Sequence, residues 1–221
     1  MELILIITVI GIAVLGLLLW PQKASAHCDT MDGPTATDGI KALETGNINY
    51  AMKWIMPDAE AEAELREGFG LAYKVYRQGG DAGEVAKRYF IDLLVRIHRT
   101  GEGAPHTGVK PHGIPIDDKV AAADRAVEVG NISPLKGLVP DDLLPELEKR
   151  LEKALALKDY DINDVPAARA YVEAYVYFFH LAEHAGEEHG HEHGHGHEPG
   201  HSHQHEHGHG HEHGHQHGHQ H

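Results

Sequence analysis

One stretch of this chain occurs twice. Ala42-Leu43-Glu44-Thr45-Gly46-Asn47-Ile48 returns as Ala126-Val127-Glu128-Val129-Gly130-Asn131-Ile132, 84 residues later. Pro57-Asp58 returns as Pro140-Asp141 at an offset of 83, and Ala86, Tyr89 and His98 return as Ala168, Tyr171 and His180 at 82. Two short loop deletions produce such a drift, so the pattern reads as an internal duplication. The constraint on the fold is strong. Whatever one half folds into, the other must fold into as well, and the two must cover each other's apolar faces.

The spacing within each half is helical, and continuous β-branched runs are nearly absent beyond residue 20. A first helix is expected from Thr37-Asp38 through Ile40, Ala42 and Leu43 to Gly46. A short one spans Ile48 to Met56 and ends at Pro57. Asp58 caps a long one carrying Leu65, Phe69, Ala72, Tyr73 and Tyr76, which ends at Gly79-Gly80. Asp81 is expected to cap the next, with Val85, Tyr89, Leu93 and Ile97 on one stripe and Phe90 and Leu94 beside it. A Gly/Pro-rich loop, Gly101 to Pro115, then leads into the second half. The expected fold is all-α, with repeats at about 37–103 and 119–185. Two long helices from each half, with short ones attached, would form a bundle.

The ends differ in kind. Residues 3–20 are uncharged and almost wholly apolar, and Ala24-Ser25-Ala26 follows as a small-x-small triplet. Residues 1–26 therefore read as a signal peptide cut after Ala26, or as an uncleaved anchor bordered by Trp20, Pro21 and Lys23. Either places the bulk of the chain outside the cytoplasm, periplasmic or secreted, with a membrane as partner only if residues 3–20 are retained. Residues 27–185 form a domain of ordinary size. Residues 186–221 form a tail whose only apolar side chains are small, and which cannot offset its ordering entropy. It holds most of the chain's 22 histidines: His189, His191, His193, His195, His197, His201, His203, His205, His207, His209, His211, His213, His215, His217, His219 and His221. Such a tract buffers metal ions. The net charge of −15 argues against nucleic acid as a partner and suits attraction of cations.

Cleavage after Ala26 would leave His27-Cys28-Asp29 as the mature start. An α-amine, an imidazole and the chain's single thiol would then lie within two residues. With one cysteine no intramolecular disulfide forms, so Cys28 is a free thiol, an intermolecular bridge or a metal ligand. Amine, thiolate and imidazole together suit nickel or copper, and zinc in a tetrahedral arrangement. His98 and His180 stand at matching places in the two halves, near helix ends, and complete a candidate set of His27, Cys28, His98 and His180. Asp29, Glu102, His106 and His184 are further candidates. His106 and His112 also fit a plain connector, Asp29 and Asp32 fit turn or cap positions, and Tyr171, Tyr175, Phe178 and Phe179 fit a core.

His27-Cys28-Asp29 resembles the mature start of nickel superoxide dismutases, small helical bundles whose hook continues Leu-Pro-Cys-Gly. Here Thr30-Met31-Asp32-Gly33-Pro34 follows, without the second cysteine. The segments HCDTMDGP (27–34), RIHRTGEGAP (96–105) and EAYVYFFH (173–180) are also similar to those of an exported family of unknown function. That resemblance implies that the three histidine-bearing segments belong to one unit.

The expected function is exported transition-metal binding, nickel or copper before zinc, at the mature amino terminus, with the tail capturing metal. A redox metalloenzyme of superoxide-dismutase type is one alternative. An envelope structural or interaction protein with only a buffering tail is another. Whether copies of the chain assemble with one another stays open at this level.

Overall fold

Pro34 has its φ fixed and no N–H to leave unpaired, so it suits the first turn of a helix. In the computed structural model, which describes residues 27–186, α1 (Pro34–Thr45) begins there, a turn earlier than Thr37. The segment 1–26 and the histidines from His189 onward lie outside the described residues. Helix α1 closes on Gly46 at φ 71, where an added Cβ would also stand 2.6 Å from the Tyr73 hydroxyl. Only glycine meets both demands.

The next helix, α2 (Asn49–Met52), is shorter than the expected Ile48–Met56, because residues 53–56 turn away toward Pro57. The Asp58 carboxylate accepts the Ala61 N–H at 2.8 Å and starts α3 (Ala59–Tyr76). Helix α4 (Gly80–Gly101) is capped by Gly79, not Asp81, which lies in its first turn. The stripe also differs from expectation. Val85 and Tyr89 are exposed, and the buried face runs through Ala86, Phe90, Leu93, Leu94 and Ile97. The i, i+3, i+4 spacing admits both faces, and packing against α3 selects one.

The later part of the chain runs in a comparable order, with 3₁₀ turns where the earlier part has α2. Helix α5 (Asp118–Val129) matches α1 in its length of twelve residues and closes on Gly130 at φ 72. Two 3₁₀ turns, Ser133–Leu135 and Asp141–Leu143, precede α6 (Leu144–Ala156). Asp164 accepts from the Ala167 N–H at 3.0 Å and caps α7 (Val165–Glu183).

The chain is all-α: two isolated bridges, Thr30 to Lys110 and Lys136 to Val139, are the only extended pairings among the described residues. Helix α3 packs along α4 and α6 along α7, while α1 leans on α4 and α5 on α7. A single apolar cluster joins the halves, with Leu43, Met52, Leu65, Phe90, Leu94, Leu147, Leu151 and Phe178 at 2 % exposure or less. Each such side chain contributes about 1.5–3 kcal/mol relative to exposure. A smaller cluster of Met31, Ala36, Ile91 and Val95 lies beneath the amino-terminal segment. Among the described residues no helix is long and apolar enough to cross a membrane.

Candidate metal centre

Five consecutive residues, His27 to Met31, are buried although they belong to no helix. Backbone pairing holds them: Met31 N–H donates to the Lys110 carbonyl at 3.0 Å, and Lys110 N–H to that of Asp29 at 2.7 Å. The segment then turns sharply, with the Thr30 hydroxyl donating to the His27 carbonyl at 3.3 Å and Gly33 N–H to the Thr30 carbonyl at 3.0 Å.

The His27 ring stacks on Phe179 with centroids 4.7 Å apart. Its Nε2–H donates to Asp124 Oδ2 at 2.5 Å, and the Tyr175 hydroxyl donates to Asp124 Oδ1 at 2.8 Å. A carboxylate only accepts, so the ring proton is assigned to Nε2 and the lone pair to Nδ1. That Nδ1 is buried without a hydrogen-bond partner.

His98 shows the complementary arrangement. Its Nδ1–H donates to the Trp54 carbonyl at 2.7 Å, which leaves the lone pair on Nε2. This nitrogen is also buried without a hydrogen bond, and it lies 3.3 Å from Glu102 Oε1. Two electron-rich atoms at that distance repel unless a cation or a proton stands between them.

Glu102 links the remaining groups. Its Oε2 accepts from Arg99 Nη1 at 3.1 Å, and Arg99 Nε lies 3.5 Å from Asp29 Oδ1. Burial raises the Asp29 carboxyl above its ordinary range, against the pull of Arg99. Burial first, then the charges of Glu102 and Asp29, push the Cys28 thiol up to about 12, opposed by the nearby Thr35 hydroxyl and Arg99. His180 faces a pocket together with His98 and Glu102, and burial lowers its pKa, so its ring is neutral at pH 7. His98 and His180 each stand three residues before the last residue of their helices.

The structure therefore gathers Cys28, Asp29, His98, Glu102 and His180 around the ends of α4 and α7. His106 instead contacts Asp92 at 3.1 Å, and His184 lies 3.8 Å from Glu183. His112 and the Gly113 N–H both bind Asp32, which ties the loop to the turn after Met31. Among the described residues no three His, Cys, Asp or Glu side chains already form a metal-holding group. The partners Asp124, Trp54, Arg99 and Tyr175 went unnoticed in the sequence as functional residues. A carboxylate at residue 124 carries no local mark that it faces residue 27.

The buried acids have a consequence for alkaline stability. Cys28 at about 12, Tyr171 at about 12 and Tyr175, raised by burial and then by Asp124, all keep protons in the fold that an open chain releases. Above about pH 9 the unfolded chain binds fewer protons than the native one, so stability falls as pH climbs toward 12. The urea midpoint is expected to be level up to about pH 8 and to drop steadily by about pH 11. Cys28→Ser should flatten part of that drop.

Residues 32–181 match a family of unknown function (DUF6448). Asp124, His98, Glu102 and His180 fall inside the matched stretch, and His27 and Cys28 precede it. No curated protein and no solved structure matches the chain.

Proposed function

We propose that this chain, which belongs to the family of unknown function (DUF6448), is an exported protein that binds one transition-metal ion at its processed amino terminus. His27 gives amine and Nδ1, Cys28 its thiolate, and His98 its Nε2. One observation carries this reading. Two buried imidazoles each have one nitrogen set against a fixed acceptor and the other buried without a hydrogen-bond partner. Metal-binding histidines are oriented by such outer partners, a carboxylate or a carbonyl.

The choice of nitrogen also matters. A terminal amine and its own ring's Nδ1 close a six-membered chelate, and Nδ1 is the atom that Asp124 leaves available on His27. Amine, imidazole and thiolate donors favour nickel or copper over zinc. Glu102 would offset the charge of the ion, and His180 would face it from α7. The tail histidines would raise the local metal concentration and hand ions on. Cleavage of a leader after Ala26 would put this activity outside the cytoplasm.

An origin of the two halves in one ancestral unit is part of this reading. It is supported by the matched helix order, the left-handed glycines at 46 and 130, and the parallel places of His98 and His180.

The test uses the processed full chain with nickel(II). Cys28 is the chain's single sulfur of thiol type, so a thiolate-to-metal charge-transfer band reports this site and not the tail. The band is expected at one ion per chain, absent in Cys28→Ser and weakened in His98→Ala. Because the thiol is held near 12, uptake should release a proton and weaken as pH falls. A filled protein with no cysteine-dependent band refutes the reading.

A further inference from the structure

Beside the candidate centre lies a cavity of about 620 Å³, within the range of small-molecule sites. Most of its wall is apolar, with Trp54, Ile55, Met56, Val172 and Val176 among the residues that line it. Such a chamber suits a small molecule with an apolar body. What head that molecule carries follows from the charges on the wall.

Two cations line the cavity, and both are already answered. Lys53 binds Asp38 at 2.8 Å and the Tyr160 hydroxyl at 2.7 Å, and Arg169 binds Glu62 at 2.8 Å and the Met52 carbonyl at 3.2 Å. None of these four partners lines the cavity, so both positive charges are met from outside it.

The two carboxylates on the wall, Glu102 and Glu173, are not matched in this way. Glu173 is exposed and has no ion pair or hydrogen bond among the described residues. Glu102 accepts from Arg99 through Oε2 at 3.1 Å, while its Oε1 lies 3.3 Å from His98 Nε2. That nitrogen belongs to a ring 4 % exposed which also lines the cavity, and it has no hydrogen-bond partner. A charged N–H donor set against Glu102 and His98 would satisfy both, and such contacts are strongest where water is excluded.

We infer that the cavity binds a small organic ammonium ion with an apolar body, its head held by Glu102 and His98 and its body against Trp54 and Val176. Glu173 adds to the negative field that draws the ion in. No metal ion is needed. The inference rests on the cavity, its two answered cations and its unmatched carboxylates, apart from the metal reading.

The experiment uses the full chain from His27, tail included, with chelator in excess so that no metal takes part. Trp54 is then the single tryptophan, and its emission reports occupancy of the cavity. Three probes share a phenyl body: 2-phenylethylamine, protonated at pH 7; 2-phenylethanol, without charge; and 3-phenylpropionate, of opposite charge. The amine is expected to saturate the change in emission at a concentration about tenfold or more below the alcohol, with the carboxylate weakest. Glu102→Gln should bring the amine to parity with the alcohol and leave the alcohol's affinity in place, which also shows that the chamber still forms. Glu173→Gln, at an exposed position, should cut the amine's advantage about threefold and decides the matter should Glu102→Gln fail to fold. Equal affinity for amine and alcohol overturns the inference and marks a site for neutral apolar molecules. Tighter binding of the carboxylate, an advantage that neither substitution reduces, or no response to any probe overturns it as well. The metal reading stands or falls separately, on the nickel-filled chain.

Discussion

A protein that keeps Ala26 in front of His27 is expected to bind nickel or copper about a hundredfold more weakly than one that begins at His27. Retention turns the amine into an amide and removes one ligand. Structural sites of four ligands bind with about 10–16 kcal/mol, so one ligand is worth roughly 3 kcal/mol, or about two decades of affinity. Both proteins carry the same tail, and competition against a chelator of known affinity therefore reads the difference at the candidate centre alone. Equal affinities would remove the amine from the site.

The second large effect is expected from Gly33→Ala. Its backbone, at φ −72, suits any residue, so strain is not the issue. Space is. An added Cβ would stand 1.8 Å from the His27 carbonyl oxygen, an atom of the main chain that cannot rotate away as the end of a side chain can. The turn from His27 to Gly33 must open. Overpacking of this kind costs about 1–3 kcal/mol. It also draws His27 off Asp124 and Phe179, so the cysteine-dependent nickel band should be lost while the helical circular dichroism is retained. Gly103→Ala, where nothing lies within 4 Å of the new carbon, serves as the comparison, although its φ of 69 brings a local strain of its own. Unchanged nickel binding in Gly33→Ala would separate the turn from the site.

The helices were legible because their signals are local. Pro57-Asp58 announced the start of α3, Gly46 and Gly130 the ends of α1 and α5, and Tyr175, Phe178 and Phe179 the core of α7. The face of α4 was not, since Val85 and Tyr89 repeat with the same period as Ala86 and Phe90, and only contact with α3 distinguishes them. The cap at Gly79 was missed because Asp81 is the better capping residue by type.

For the site, the chain supplied the candidates but not their settings. His27, Cys28 and His98 could be picked out by residue type and by position beside a cleavage triplet or a helix end. What decides their chemistry is which nitrogen carries a proton, and that follows from Asp124 and the Trp54 carbonyl, which lie 97 and 44 positions away in the chain. His106 looked equivalent by composition. Its pairing with Asp92 shows it fastening the loop after α4 to that helix.

The depth of His27 sets an order of events. A peptidase needs an extended, reachable strand, yet the residue just beyond the 26–27 bond is 6 % exposed and the next is 5 % exposed. On the proposed reading, scission at that bond would have to come before the helices close over the segment. Under that proposal a chain that folded first would shield the bond to be cut, so the timing of processing, no less than the identity of the ligands, would govern how many molecules become competent to take up an ion.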